Sequence, residues 1–162
     1  YRPDHPMSTT FELPLAPEIT RNVEAALVED VGPGDLTASL VPGDRRVRAT
    51  VTSREAGVLC GTAWFDECVR RLDPAATVTW SAADGDRIAP GQVLCAIAGN
   101  GRALLTAERS ALNFLQLLSA VASKARLYAD AIARQVKRWL EEAPVLATTG
   151  RPRACASMMT RL

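Results

Sequence analysis

The stretch from Thr106 to Arg134 contains neither glycine nor proline and is rich in alanine and leucine. These residues favour a helix, so the stretch predicts one long helix. Its apolar side chains recur at helical spacing over a stripe so broad that burial on most sides is expected. The helix is therefore predicted to be a central packing element or an interface. The stripe consists of Phe114, Leu118, Val121, Ala125, Tyr128 and Ile132, and it is widened by Leu112, Leu115 and Ala122.

The residues before this helix predict a small α+β unit, in which short strands surround an inserted helix. Apolar residues at helical spacing predict a first helix over Pro17–Asp30, which the turn residues 32–35 end. A second helix is predicted over Thr62–Leu72, with Thr62 as its N-cap, Phe65 and Cys68 on its apolar side, and Glu67 on its polar side. Alternation of apolar and polar residues predicts strands at 46–52 and 77–82. A short apolar run predicts a strand at 56–60, and turn residues on both sides favour a strand at 92–98, which is followed by a turn at 99–101.

The overall charge and the scarcity of metal ligands exclude several classes of function. The chain of 162 residues has 19 basic and 18 acidic side chains, so no long-range attraction to nucleic acid or to an anionic membrane is expected. No apolar run reaches the roughly 20 residues of a membrane span, and we expect a cytoplasmic protein. His5 is the one histidine, which argues against Ser-His-Asp and Cys-His catalysis.

The four cysteines contain no C-x-x-C pair, so neither a structural zinc site nor any other metal site is predicted. Without an export signal, disulfides are not expected either, and the cysteines are interpreted as buried free thiols. They are Cys60, Cys68, Cys95 and Cys155.

Polar residues on the long helix are the candidates for a binding site. Arg109, Asn113, Gln116 and Ser123 share one face at i, i+4, i+7 and i+14. An arginine close to the predicted N-terminus of a helix is disfavoured by the helix dipole, so its presence asks for a reason. Either its planar fork of donors binds a carboxylate or phosphate, or it lies in a solvated first turn and pairs with an acidic neighbour.

Other polar residues have simpler interpretations beside the functional one. Glu108 is either a supporting site residue or a favourable negative charge near the start of the helix. Asn113 and Gln116 either support the site or hydrogen-bond to neighbouring backbone. Glu29, Asp30 and Asp35 are a conceivable cation site, although capping and turn formation explain them more simply. No catalytic residue is assigned in this chain.

Residues 84–94 read D-G-D-R-I-A-P-G-Q-V-L, which resembles the D-G-x-x-V-x-x-G-x-x-L turn of biotinyl and lipoyl carrier domains. A carrier presents a lysine on a hairpin for acylation. Here the lysines are Lys124 and Lys137, on or near the long helix. The turn therefore indicates a shared small β architecture and no carrier function.

Two longer motifs resemble one enzyme family, quinolinate phosphoribosyltransferase, also called carboxylating nicotinate-nucleotide pyrophosphorylase. Residues 26–37 read A-L-V-E-D-V-G-P-G-D-L-T, similar to its A-L-x-E-D-x-G-x-G-D-x-T opening. Residues 108–119 read E-R-S-A-L-N-F-L-Q-L-L-S, similar to its E-R-x-A-L-N-x-L-Q-x-x-S helix. The likeness covers about residues 20–133.

The resemblance implies an activity, its substrates and its partners. The family converts quinolinate and phosphoribosyl pyrophosphate, with Mg²⁺, to nicotinate mononucleotide, pyrophosphate and CO₂ on the route to NAD. It implies a homodimer in which the arginine of the E-R motif, here Arg109, reaches the neighbouring subunit's site and binds the substrate anion. It also implies a hammerhead- or sandwich-like N-terminal domain, followed by the long helix.

The family's C-terminal α/β barrel is not recognisable in this sequence, since no T-R-K-T-x-P-G-x-R segment follows Ala133. We therefore expect a disordered leader over 1–16, the N-terminal domain with its interface helix over 17–133, and an atypical tail over 134–162 that holds six basic and two acidic residues.

Reading the codons of residues 151–160 in a shifted frame permits T-P-G-L-R-K-H-D-D. A frameshift is thus our hypothesis for the tail, and the chain by itself is expected to be inactive.

Two alternatives to the enzyme remain open at this point. One is a non-catalytic dimerisation or substrate-binding module, in which Arg109 completes a site supplied by another chain. The other is the related molybdenum-transport paralogue, which shares these motifs.

Overall fold

The computed structural model describes residues 15–31, 38 and 40–142. The chain divides into two compact units, Tyr1–Arg126 and Leu127–Leu162. The described residues confirm the predicted α+β fold of short antiparallel strands with an inserted helix and a long helix after them. The elements in chain order are α1 (Leu15–Val31), β1 (Arg46–Thr52), β2 (Gly57–Val58), α2 (Thr62–Leu72), β3 (Thr77–Trp80), β4 (Arg87–Ile88), β5 (Val93–Asn100) and α3 (Gly101–Glu142).

The strands form two small sheets. β5 lies in the centre of the larger sheet and pairs antiparallel with β1 on one side and β3 on the other, so that Ala96 lies opposite both Thr50 and Thr79. β2 and β4 form the second sheet through two residue pairs. β4 falls at residues 87–88 of the carrier-like stretch 84–94, where no strand was predicted.

One hydrophobic core joins the sheet to the helices. Leu59 and Cys68 are fully buried, and Phe65 packs edge-on against Trp80 with ring centroids 5.4 Å apart. The predicted apolar side of α2 thus faces the core. The buried cluster consists of Val23, Leu59, Phe65, Cys68, Val69, Leu94, Cys95, Ile97, Ala107, Ala111 and Leu115.

Helix α2 has the predicted bounds, but the prediction of Thr62 as its N-cap is wrong. The capping position belongs to Gly61, whose φ of 103° lies in the left-handed region and which makes no side-chain cap. Asp84 supplies the missing acceptors from a distant turn, because its two carboxylate oxygens accept the backbone N–H groups of Gly61 and Thr62, each at 3.1 Å. The carrier-like turn is therefore a cap for this helix.

Helix α3 begins at Gly101, five residues before the predicted start, and directly continues β5. The glycines around Asn100 were interpreted as a turn, yet Asn100 is the residue that starts the helix. Its Oδ1 accepts the backbone N–H of Ala103 at 3.1 Å, and its own N–H donates to Asp73 at 2.7 Å. This side-chain cap removes the need for a loop between strand and helix.

The expected burial of the long helix on most sides is wrong for the chain by itself. Ala107, Ala111 and Leu115 are buried against the core. Leu117 and Val121, however, are 58% and 67% exposed. The other interpretation, an interface with a partner, stays a prediction.

Glu67 is a buried carboxylate that the sequence analysis placed on the polar side of α2. It is 8% exposed, and its oxygens accept hydrogen bonds from Arg70 and from Arg71, the latter at 2.8 Å. Burial by itself raises the pKa of Glu67, but the hydrogen bonds and charges of Arg71 and Arg70 outweigh it and hold the pKa below its ordinary value.

Replacing Glu67 by glutamine is expected to lower the free energy of unfolding by about 1 kcal/mol at pH 7, because the charge-assisted bonds are lost. A carboxyl with a lowered folded pKa stabilises the fold above its unfolded pKa of about 4.3 and loses that contribution as the pH falls through the folded value. Urea unfolding of both proteins at neutral and acidic pH measures this. A difference that persists unchanged in acid would contradict the assignment.

Several predictions fall outside the described residues. They are the turn at 32–35, residues 1–14 of the leader predicted over 1–16, His5, Cys155 and the shifted-frame stretch 151–160. The last two residues of that leader, Leu15 and Ala16, are instead the first residues of α1.

Candidate functional site

Arg109 lies in the third turn of α3, on the face of the helix that points away from the core. Its side chain is exposed and makes no hydrogen bond or ion pair with any residue in the described part of the chain. Because the helix starts at Gly101, Arg109 is not in the first turn, and the helix dipole does not disfavour it as the sequence analysis assumed. The predicted pairing with an acidic neighbour is likewise not formed among the described residues.

The two sequence motifs meet beside Arg109, although they are far apart in the chain. Ser110 is 1% exposed, and its hydroxyl donates to the carboxylate of Asp30 at 2.6 Å. This bond joins the end of α1 to the turn of α3 that carries Arg109. Asp30 is therefore a structural contact between helices, which favours the simpler interpretation of the acidic residues over a cation site.

A cavity of about 800 Å³ opens between β1 and the same part of α3. Glu108, Gln116 and Ser123 line it, whereas Arg109 and Asn113 do not. The structure thus divides the predicted polar face between the cavity and the exposed side of the helix. Most of the remaining lining is apolar, including Val47, Val51, Leu104, Leu105, Ala111, Leu112 and Leu115.

Two serines of α3 hold the chain around β2 against the helix, and only Ser123 was among the candidate residues. The Ser123 hydroxyl accepts the backbone N–H of Val58 at 2.8 Å. The Ser119 hydroxyl accepts the N–H of Cys60 at 3.0 Å and donates to its carbonyl at 3.1 Å. Serines four residues apart on a largely apolar helix were the available signal for this contact.

The described cysteines are free thiols, as predicted, but they are unsuited to nucleophilic chemistry. Cys68 and Cys95 are buried, whereas Cys60 is only partly so. Burial, together with nearby carboxylates, raises the pKa of Cys68 to about 12 and that of Cys95 to about 11. Burial and the charge of Asp84 also raise the pKa of Cys60. All three thiols are therefore protonated at neutral pH.

Metal-binding and membrane-spanning features are also absent from residues 15–31, 38 and 40–142. No group of three or more His, Cys, Asp or Glu side chains there could hold a metal ion. No helix in that part of the chain combines the length and apolar character needed to cross a bilayer. What Arg109 offers chemically is an exposed guanidinium that can bind a carboxylate or phosphate through two parallel hydrogen bonds.

Comparison with known families gives a match over residues 35–119 to the family described as quinolinate phosphoribosyl transferase, N-terminal domain. Among curated proteins, the chloroplastic carboxylating nicotinate-nucleotide pyrophosphorylase of Arabidopsis thaliana is 34% identical over 131 residues, covering 80% of this chain and 35% of that protein. The probable carboxylating nicotinate-nucleotide pyrophosphorylase of Bacillus subtilis is 33% identical over 99 residues, covering 61% of this chain and 34% of that protein.

Solved structures show the same partial correspondence. NadC of Streptococcus pyogenes has a TM-score of 0.69 and 35% identity, covering 72% of this chain and 42% of its own. The nicotinate-nucleotide pyrophosphorylase of Francisella tularensis has a TM-score of 0.63 and 37% identity, covering 65% of this chain and 37% of its own. The chain spans about a third of the length of the curated relatives it matches.

Proposed function

The chain belongs to the quinolinate phosphoribosyltransferase family, and from this premise we propose that it provides the anion-binding arginine of a quinolinate phosphoribosyltransferase site completed by a second copy of the protein. The reaction joins quinolinate to phosphoribosyl pyrophosphate and releases pyrophosphate and CO₂ to give nicotinate mononucleotide. Arg109 is the proposed substrate-binding residue. Glu108, Asn113 and Gln116 are proposed to support it.

The observation that carries this proposal is the state of Arg109 in the chain. The side chain is exposed and has no partner among the described residues, while its neighbour Ser110 is buried and bonded to Asp30. The backbone that carries the guanidinium is therefore held firmly, and the guanidinium is free to bind an external anion. Binding a dicarboxylate therefore requires ordering of the Arg109 side chain but no ordering of the backbone that carries it.

The roles of the described residues are binding and orientation. A guanidinium near a pyridine carboxylate neutralises its charge and favours the approach of the two anionic substrates. The Mg²⁺ that accompanies phosphoribosyl pyrophosphate in this family finds no set of three carboxylate, thiol or imidazole ligands among the described residues. No step is therefore assigned to the ion on this chain.

A chimera tests the proposal. Residues 17–133 are joined to the remaining two-thirds of the Francisella tularensis relative, and production of nicotinate mononucleotide is assayed with quinolinate, phosphoribosyl pyrophosphate and Mg²⁺. Arg109→Ala is expected to lower kcat/KM for quinolinate by on the order of 100-fold, because an anion partner is lost in a desolvated site. Arg109→Lys is expected to recover only a small part, since an ammonium cannot reproduce the bidentate geometry.

Arg126 is the matched control, because it is also an exposed arginine on α3. Arg126→Ala is expected to leave kcat/KM within about two-fold of the parent, as surface substitutions usually do. An active chimera in which the Arg109 and Arg126 variants behave alike would refute the proposal.

A non-catalytic binding module is the second candidate, favoured by the exposed guanidinium of Arg109, which can bind an anion without any catalytic group beside it. The module interpretation predicts that the chimera makes no product, although the chain alone still binds quinolinate through Arg109. Calorimetric titration of the 162-residue chain with quinolinate, compared with Arg109→Ala, measures that binding. Both interpretations expect no turnover by the chain alone.

A further inference from the structure

β5 runs directly into α3 through an asparagine followed by a glycine. Asn100 is the last residue of the strand, and Gly101 is the first residue of the helix. In an unstructured chain, this is the dipeptide in which asparagine loses its side-chain amide most readily, because glycine has no Cβ to hinder its nitrogen or to restrict its backbone. The nitrogen of Gly101 is thus chemically suited to attack Cγ of Asn100.

The fold needs both residues of this reactive pair. Oδ1 of Asn100 caps α3 through the N–H of Ala103 at 3.1 Å. A Cβ at position 101 would lie 3.1 Å from Cγ1 of Val47 and 3.3 Å from the carbonyl oxygen of Arg45, closer than most side chains tolerate. The direct passage from β5 to α3 therefore calls for a capping side chain at position 100 and a glycine at position 101, and the cap in this chain is an amide.

The folded structure also engages both reacting groups in hydrogen bonds. Nδ2 of Asn100 donates to the carbonyl of Gly43 at 2.6 Å, so together with the cap at Oδ1 the amide is held at both ends. Gly101 is buried, and its N–H donates to the carbonyl of Arg45 at 2.7 Å. This nitrogen must lose its proton before it can attack, and the hydrogen bond stabilises the protonated form.

The acceptors of these bonds all lie in residues 41–45, which we call the strap. A third carbonyl of the strap, that of Val41, accepts a hydrogen bond from Nη2 of Arg102 at 2.7 Å. The junction thus donates to the strap from three consecutive residues, 100–102. Attack on Cγ of Asn100 requires the amide and the backbone nitrogen to leave their acceptors, so the strap has to open first.

We infer that Asn100 is a site of spontaneous deamidation that the strap keeps closed in the folded chain. The inference is independent of the proposed function. When the strap opens, the nitrogen of Gly101 gives up its proton to water and forms a bond to Cγ of Asn100. The bond from Cγ to Nδ2 breaks, and ammonia leaves. Water then opens the cyclic imide at either of its carbonyl carbons, which gives aspartate or isoaspartate at position 100.

Either product prevents the junction from closing as before. An aspartate at position 100 keeps an oxygen for the cap, but a carboxylate cannot donate to the carbonyl of Gly43. An isoaspartate adds a methylene group to the backbone between positions 100 and 101, so β5 no longer continues directly into α3. Deamidation therefore makes a temporary opening of the strap permanent.

Comparison of the folded and unfolded parent chain at mildly alkaline pH tests the inference. The three asparagines lie in separate tryptic peptides, 22–45, 88–102 and 110–124, so mass spectrometry of the digest assigns each conversion. In guanidinium chloride, peptide 88–102 is expected to convert to its aspartate and isoaspartate forms. In the folded chain, conversion is expected to be about ten-fold slower or more, because only the opened fraction reacts.

The chain contains its own controls. Asn22 and Asn113 are followed by Val23 and Phe114, whose side chains hinder the attacking nitrogen, so both are expected to stay unchanged even when the chain is unfolded. Release of ammonia distinguishes the reaction at Asn100 from isomerisation at the Asp–Gly pair 84–85, which forms isoaspartate without ammonia.

Arg102→Ala tests the role of the strap. It is expected to speed conversion in the folded chain about three-fold or more, the change in an opening equilibrium when one hydrogen bond is lost. Arg48→Ala is the matched control, because Arg48 is an exposed arginine of β1 outside the strap, and it is expected to leave the rate unchanged. Circular dichroism checks that both variants are folded.

Three results would overturn the inference. They are equal rates at Asn100 in the folded and unfolded parent, no conversion at Asn100 in the unfolded parent, and equal rates in the folded Arg102→Ala and Arg48→Ala variants. The first two are measured on the parent chain, so they decide the inference even where Arg102→Ala does not fold.

Discussion

Replacing Phe65 by alanine is expected to reduce the free energy of unfolding by about 3–5 kcal/mol, the largest loss from any single truncation considered for this protein. Phe65 is 2% exposed and lies on the side of α2 that faces the sheet. Its ring meets Trp80 of β3 at an interplanar angle of 76°, the edge-to-face geometry that aromatic pairs favour. Removing the ring therefore gives up the hydrophobic free energy of burying it, leaves a cavity in the core and removes the aromatic contact between α2 and β3.

The loss is large because a domain of this size has a total stability of only about 5–15 kcal/mol. Urea unfolding followed by far-ultraviolet circular dichroism measures it. Phe65→Leu keeps most of the volume and is expected to cost less than half as much. Val28→Ala is the control, since Val28 is 72% exposed on α1 and its truncation is expected to change stability by less than about 0.5 kcal/mol. Similar losses for Phe65→Ala and Val28→Ala would contradict the position of Phe65 in the core.

Sequence periodicity was sufficient to predict the main elements of the fold. The apolar spacing in α1 and α2 and the alternation in β1 and β3 are local properties that reflect the burial of one face, and β5 was predicted from the turn residues on either side of it. The two-residue strand β4 is too short to show alternation and was not predicted, whereas β2 lies within the strand predicted at 56–60 from a short apolar run. The start of α3 was misplaced for another reason. The two glycines around Asn100 indicate a turn, and the bonds of Asn100 to Ala103 and Asp73 that override this signal depend on tertiary structure.

In the candidate site, too, helical spacing predicted some of the residue positions, whereas tertiary contacts determined the others. Helical spacing correctly placed Arg109 away from the apolar side of α3, but it could not show that Gln116 lines a cavity and Asn113 does not. The burial of Glu67 was missed because a glutamate beside two arginines is typical of a solvated helix face. The bond from Ser110 to Asp30 was also missed, since nothing in either motif indicates that the two touch. The role of Arg109 itself was suggested by the resemblance, not by its spacing.

Gly61→Ala is expected to lower the free energy of unfolding by about 2–4 kcal/mol, because two independent costs add at this position. The φ of 103° is far from any minimum of an alanine, so the backbone is strained by about 1–2 kcal/mol. In addition, a Cβ at this position would lie 2.9 Å from Cδ1 and 3.2 Å from Cβ of Leu118 on α3. The chain before α2 lies close enough to α3 for the hydroxyls of Ser119 and Ser123 to hydrogen-bond to its backbone. The added methyl group would push this part of the chain away from α3.

Two further glycines separate these costs. Gly85 has a φ of 96° and nothing within 4 Å of an added Cβ, so Gly85→Ala measures backbone strain alone, about 1–2 kcal/mol. Gly57 has no positive φ, and its added Cβ would lie 2.8 Å from Oγ of Ser123, so Gly57→Ala measures the close approach to α3 alone. If glycine is needed at position 61 because of the close contact with α3, the free energy of unfolding will fall more in Gly61→Ala than in Gly85→Ala. Thermal or urea unfolding measures both. Equal losses at the two positions would mean that backbone strain is the whole effect and that the contact with Leu118 relaxes without cost.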